Sequence, residues 1–329
     1  MKKLTLFLTV VFLAAVFIMP AHSDIKKVAQ TGLQFLKVDV GARSAAMGSA
    51  FTLAGNDASS MFYNPAGIAK IKSNFDFFVS RTEWFADINY NAVGLVKNLG
   101  NLGSVGVSAI YCDYGDDIIG TRVASTEKGF IETGSVDVGA YAIGVSYAKE
   151  LTNKFTVGGQ IKYASEHLGS NIMVENGPDV ENKVSGFAYD FGTIFYPGFK
   201  SFCFGMSIRN FSEQFKYQEY AFQLPLTFSI GFSMDVLDFL GEHKNPLLVA
   251  IDAIHPRDYT ERIHVGAEYL FMDMFALRAG YKTNYDEEGL SAGFGCNYNF
   301  GGIGVKLDYA YSDFGVFESV NRFSFGFVF

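Results

Sequence analysis

The sequence predicts an all-β protein, a transmembrane antiparallel β-barrel of about 14 strands with an N-terminal hatch in its lumen. Three observations predict it. The chain opens on an export signal. It then alternates apolar and polar residues in runs long enough to cross a bilayer. It also carries few charges for a water-facing surface of its size.

The export signal is read over residues 1–23. Lys2 and Lys3 give a short positive start, Leu4 to Met19 is an apolar run, and Ala21-His22-Ser23 presents small residues where a signal peptidase cuts. Cleavage is expected near Ser23/Asp24. The apolar run is shorter than the about 20 residues of a comfortable membrane helix, so it reads as a removed leader rather than an anchor. No Cys stands beside the cleavage site, which argues against a lipoprotein. No later apolar run is long enough for a membrane helix. An exported chain that crosses a bilayer without helices must close a barrel, because every backbone polar group needs a partner in lipid. The expected localisation is therefore the bacterial outer membrane.

Composition agrees. Charged residues make up 18 % of the 329-residue chain, below the roughly 25 % of soluble domains, and aromatics 16 %, with 34 Phe and 18 Tyr. The net charge of −8 argues against a nucleic-acid partner, which would require a basic face. The three cysteines, Cys112, Cys203 and Cys296, are odd in number and sit inside strand-like runs, so neither a disulfide framework nor a metal site is expected.

From about residue 75 the pattern has period two. Ile303, Val305, Leu307, Tyr309 and Tyr311 alternate with Gly304, Lys306, Asp308 and Ala310. Leu226, Phe228, Ile230, Phe232 and Met234 alternate with Thr227, Ser229, Gly231, Ser233 and Asp235. Such a period puts one set toward lipid and the other toward the lumen. The expected strands are 75–81, 87–97, 103–112, 135–149, 154–167, 184–197, 200–211, 224–235, 246–255, 261–272, 274–285, 289–299, 303–313 and 320–329. The even-numbered connections are mostly tight and the odd ones mostly long, as for short periplasmic turns against longer outer loops. The exception is 236–245, where a short periplasmic helix is expected. Pro178, Pro197, Pro225, Pro246 and Pro256 all fall in connections or at strand ends, where no ladder donor is lost. In the last strand Phe323, Phe325, Phe327 and the terminal Phe329 share one face. Phe325, Phe327 and Phe329 look like the signal read by barrel-assembly machinery, which is an expected partner together with outer-membrane lipid and lipopolysaccharide.

Residues 24–74 do not alternate and are rich in Ala, Gly and Ser. Asp57 is placed to cap a short helix starting at Ala58. Asn64, ahead of Pro65, is biased to an extended or turn conformation. Gly41-Ala42-Arg43, Met47-Gly48, Asn56-Asp57-Ala58-Ser59 and Asn64-Pro65-Ala66-Gly67 together resemble the opening segment of the PorV/PorQ family. That family is similar in turn to the long-chain fatty-acid transporters of the FadL type. The resemblance implies a luminal hatch over 24–74 inside a barrel over 75–329. It also implies an accessory of type IX-like protein secretion that binds or shuttles exported cargo, with secreted proteins or secretion-system subunits as partners. The alternative it implies is a passive FadL-like transporter of hydrophobic small molecules. This chain is shorter than typical FadL proteins and lacks a clearly apolar pair of outer loops, which favours the secretion side.

The lumen-facing polar candidates are Lys162, Asp190, Arg209, Asp252, Glu268, Arg278, Lys282, Lys306 and Asp308. They read as charges that pair with one another and anchor the hatch, with Arg43 and Asp57 as candidate partners, because buried charges need partners. The rival reading is a polar path through the barrel. His255 and His264 flank an outer loop near Asp252 and Asp258, yet no nucleophile elbow or other catalytic signature accompanies them, so no enzyme, catalytic residue or cofactor is expected. The acidic groups Asp113, Asp116 and Asp117, and Asp286, Glu287 and Glu288, read as solvated loop charge rather than as cation sites bridging lipopolysaccharide.

Overall fold

A computed structural model describes residues 30–115, 118–172, 178–241 and 243–329. The leader expected over residues 1–23 lies outside the described residues, as do Asp116 and Asp117.

Among the described residues, fourteen strands close one antiparallel barrel. They are β1 (Phe75–Glu83), β2 (Asn89–Asn98), β3 (Ser104–Asp113), β4 (Val138–Thr152), β5 (Phe155–Ile172), β6 (Asp179–Phe195) and β7 (Cys203–Phe211). The second half comprises β8 (Thr227–Asp235), β9 (Leu247–Pro256), β10 (Arg262–Phe271), β11 (Phe275–Lys282), β12 (Leu290–Phe300), β13 (Ile303–Asp313) and β14 (Ser319–Val328). Each strand pairs with its neighbours in sequence, and β1 closes on β14 from Asp76↔Val328 to Glu83↔Asn321. Closure leaves no edge with unpaired N–H and C=O groups, which is the condition for a sheet in lipid. No helix of the described residues is long and apolar enough to cross a membrane.

Alternation sorts the faces. On β5, Thr156, Gln160 and Lys162 are buried toward the lumen while Ile161 and Tyr163 are exposed on the outside. On β13 and β14, Leu307, Tyr311 and Phe323 are exposed outward, whereas Ser312, Arg322 and Ser324 are buried inward. A hydrocarbon-facing band explains why so many large apolar side chains remain uncovered in a stable structure.

Several strand ends differ from expectation, each for a local reason. β5 and β6 extend to Ile172 and Asp179 because their hairpin goes on pairing beyond a register shift at His167/Ser170. β8 begins at Thr227 rather than 224, because Pro225 has no donor and Leu226 N–H turns back to Leu224 O at 2.8 Å. β7 begins at Cys203 because Phe202 N–H bonds Phe199 O in a turn. The long connection after β3 folds into its own hairpin, Ile119–Val123 against Phe130–Ser135. The expected short helix after β8 is a 3-10 turn, Val236–Phe239. Met272 and Asp273, with φ of 55° and 56°, make the tight β10–β11 turn.

Residues 30–74 are mostly buried and make contacts with the strands. Near the long-loop end, Gly32 N–H donates to Gln223 O at 3.2 Å and Lys37 meets Asp258 at 2.9 Å. Near the short-turn end, Lys70 pairs with Glu150 at 2.8 Å and Ile71 O accepts from Asn98 at 2.7 Å. The segment is thus tied near both ends of the strands before β1 begins.

Candidate functional site

The opening segment folds by local rules. The Asp57 carboxylate caps the 3-10 helix Ala58–Phe62 through Ser59 N–H at 3.0 Å. Asn64 is extended, with φ −145° and ψ 104°, and its side chain caps Pro65–Lys70 through Ala66 N–H at 3.1 Å, with Pro65 at the first position where no donor is needed. Gly41, with φ 92°, precedes the short helix α1 (Ala42–Ala46). Residues Ala42, Ala45 and Ala46 have side chains small enough to lie against β12 and β13 with Ala310.

The wall makes room for the segment with glycines. A Cβ at Gly192 would lie 1.8 Å from Asn64 Oδ1, one at Gly280 1.9 Å from Gly48 N, and one at Gly158 2.5 Å from Ala66 N. These inward-facing positions admit no side chain while Gly48 and Asn64 to Ala66 stay where they are. Met47 and Gly67 are equally enclosed: a Cβ at Gly266 would meet Met47 O at 2.3 Å, and one at Gly67 would meet Ser60 Cβ at 2.7 Å.

Polar contacts bind segment to wall. Arg43 forms a two-point contact with Glu268, Nε to Oε2 and Nη2 to Oε1, each at 2.8 Å. Arg278 also binds Glu268 at 2.6 Å and reaches Asp308 at 2.7 Å, so a continuous network links the segment to β10, β11 and β13. Arg43 lies 3.4 Å from Asp57, which in turn is 3.7 Å from Lys306. Lys282 binds Asp39 at 2.5 Å and also meets Glu288. Asp252 accepts Thr52 N–H at 2.8 Å, Asp76 accepts Ala58 N–H at 2.9 Å, and Arg209 donates to Phe62 O at 2.8 Å. The Asn64 amide donates to Thr52 O at 2.9 Å and to Thr193 O of β6 at 3.3 Å. Lys162 and Asp190 meet each other at 2.8 Å within the wall, and Asp190 also takes the N–H of Asn210 at 2.7 Å, where β7 bulges. Of the nine polar candidates, seven therefore reach the opening segment directly or through Glu268, and Lys162 with Asp190 does not.

Sequence reasoning missed Asp39, Asp76 and Arg322, and named Asp258 only beside the outer-loop histidines. Arg322 could have been found: it alternates with Phe323 and is fully buried, with Nη1 donating to Ser312 at 2.9 Å. Asp258 sits in the β9–β10 connection and accepts from Thr31 at 2.7 Å and from Lys37 at 2.9 Å. Burial opposes its ionisation, but the Thr31, Lys37 and Gln34 donors hold its pKa below the ordinary aspartate value.

The other titratable groups are engaged locally. His264 Nε2 lies 2.9 Å from the Tyr285 hydroxyl and His255 Nδ1 3.2 Å from Glu261. Asp286 accepts from Tyr259 at 2.6 Å, and Glu287 accepts Val316 N–H at 3.1 Å. At the short-turn end Asp235, Asp238 and His243 bring ligand-type atoms within 4.8 Å of one another. They lock the turn: Asp235 accepts Leu237 N–H and Leu247 N–H at 3.0 Å and lies 2.7 Å from His243 Nε2, while Asp238 accepts Ser201 N–H at 3.0 Å.

Above the segment, at the long-loop end, lies a cavity of about 440 Å³. Its wall combines aromatic surface from Phe35, Trp84, Tyr90 and Tyr285 with the cations Arg209 and Arg262.

The family model described as "Type IX secretion system protein PorV" matches residues 21–254. No curated protein matches the chain by sequence. Solved structures with the same fold include the Ralstonia pickettii toluene transporter TbuX, at 12 % identity and TM-score 0.55, covering 87 % of this chain and 96 % of that one. The Pseudomonas putida toluene transporter TodX is similar at 12 % identity and TM-score 0.56, with the same coverage of 87 % and 96 %. A Pseudomonas aeruginosa FadL homologue is similar at 10 % identity and TM-score 0.53, over 88 % of this chain and 97 % of that one. These solved structures share the fold of this chain.

Proposed function

We propose, from the premise that the chain belongs to the PorV family, that it serves protein secretion as an outer-membrane accessory that binds exported cargo, and that residues 30–74 act as a hatch closing its lumen. The observation that carries this reading is the anchoring of the opening segment along the barrel, from Lys37–Asp258 through Arg43–Glu268 to Lys70–Glu150. A lumen filled by a segment held at both ends and in its middle is poorly suited to conduct a folded or extended polypeptide. That leaves the surface outside the membrane as the working face, including the exposed hairpin Ile119–Val123 with Phe130–Ser135. Deleting the gene tests this: cargo proteins should accumulate in the periplasm and disappear from the cell surface, and the chain with an intact barrel should restore them.

A second reading is passive transport of a hydrophobic small molecule. The cavity of about 440 Å³ at the long-loop end favours it, since a ligand could rest there before the hatch. On that reading the deletion leaves secretion normal and slows uptake of a hydrophobic compound.

A further inference from the structure

The outward wall of β12, β13, β14 and β1 carries a cation, Arg81, near its long-loop end. Arg81 lies on the outward set of β1 with Phe77 and Val79, and it is exposed. Among the described residues that face outward on these four strands, it is the single cation. Its recorded contact is a neutral one, Nη2 to Asn89 Oδ1 at 3.2 Å. Glu83, the next outward residue, lies one step closer to the long-loop rim and forms no ion pair with it.

Arg81 stands two residues before the long-loop end of β1, with aromatic residues beside it. Following the register sideways, Arg81 pairs with Phe323, Phe323 with Tyr309, and Tyr309 with Phe294. In the other direction it pairs with Asn91, and Asn91 with Tyr111. A row of aromatic residues on the outside of a barrel marks the interface between hydrocarbon and headgroups. The row belongs to the half of the barrel nearer the long loops, so it meets the outer leaflet. Below Arg81, toward the short-turn end, Val79, Phe325, Leu307 and Cys296 line an open groove of about 520 Å³. The sheet beneath is unbroken, because β1, β14, β13 and β12 stay in continuous register there. The groove is therefore a depression on the outside of the wall and not an exit from the lumen.

We propose that this groove is a specific site for one phosphorylated lipid of the outer leaflet, with its phosphate on the Arg81 guanidinium and an acyl chain along Val79, Leu307 and Phe325. A phosphate at the interface offers paired acceptor oxygens to the guanidinium's fork of donors, and the apolar groove below it offers a surface for an acyl chain. Charge and shape thus call for the two ends of one molecule. The site is independent of whether the barrel serves secretion or transport.

The test uses the full chain in nanodiscs of equal phosphatidylglycerol and phosphatidylcholine, released gently and weighed with the lipids it retains. The wild type should keep phosphatidylglycerol in preference to phosphatidylcholine. Arg81→Gln should lower that preference by about tenfold, the loss of a charge-assisted contact, and Arg81→Lys should keep part of it. Inorganic phosphate in excess should not displace the lipid, because it lacks the acyl chain. Equal retention of the two lipids, an unchanged Arg81→Gln variant, or displacement by inorganic phosphate would each overturn the proposal.

Discussion

Arg43 and Glu268 are 225 residues apart in sequence and meet through two parallel N–H···O contacts of 2.8 Å, one residue in the opening segment and the other on β10. The pair is largely shielded from water, with side chains 16 % and 11 % exposed, so each charge depends on the other for the solvation it has given up. Arg278 shares Glu268 and extends the link to Asp308.

Removing one member should therefore cost more than a surface ion pair would. Arg43→Ala should release the centre of the opening segment at a cost of about 1.5–3 kcal/mol, since Glu268 loses one of its two guanidinium partners and keeps Arg278. Hydrogen exchange over residues 42–68 should rise strongly. The barrel itself should keep its folded, heat-sensitive migration on electrophoresis, because the fourteen-strand ladder does not pass through Arg43.

The same release should appear as leakage. In planar bilayers the wild type should show little ion conductance. Arg43→Ala combined with Glu268→Gln should conduct measurably more, since the network that fixes the segment is gone. Equal conductance would mean that the lumen is closed by something other than the Arg43–Glu268 contact.

Close approach of backbone to wall gives a second class of variant. Gly192→Ala puts a methyl 1.8 Å from Asn64 Oδ1, and Gly280→Ala puts one 1.9 Å from Gly48 N. Each should destabilise the enclosed segment by about 1–3 kcal/mol, the usual cost of overfilling a packed site. Gly301→Ala serves as the comparison in thermal unfolding: no neighbouring atom lies within 4 Å, and the cost there is that of its own φ of 60°.

Much of this architecture was legible in the sequence, and the rest was hidden for identifiable reasons. All fourteen strands follow from period-two alternation, because lipid on one side and lumen on the other impose opposite demands on successive residues. The cap at Asp57 and the extended backbone at Asn64 were legible because neighbours within two residues set them, whereas the cap that Asn64 supplies was not foreseen. Asp39 and Asp258 were not, since their partners Lys282 and Lys37 lie more than 200 residues distant and become neighbours only when the barrel closes. The longer β5–β6 hairpin was missed because beyond the bilayer both faces meet water and alternation ceases to report a strand.

The two ends of the molecule should respond oppositely to pH. Asp258 has its pKa lowered in the folded state, so its hold on Thr31 and Lys37 is present above the ordinary aspartate value of about 3.9 and fades as pH falls through the lower folded value. Proteolytic nicking near residues 30–37 should begin only in that acid range, and Asp258→Asn should bring it to neutral pH. His243 has its pKa raised by the Gly241 carbonyl and by Asp235. Its contribution to the Asp235 turn is complete below about 6.5 and is lost as pH rises through the raised value. Backbone exchange over residues 236–246 should increase there, with no change at the opposite end.

The most direct test of the central claim is to purify the chain from its native outer membrane in mild detergent and identify by mass spectrometry what remains bound. The account predicts exported proteins or secretion-machinery subunits in stoichiometric amounts, with the opening segment still protected from protease. A stoichiometric hydrophobic small molecule with no protein partner would contradict it and assign the barrel to transport.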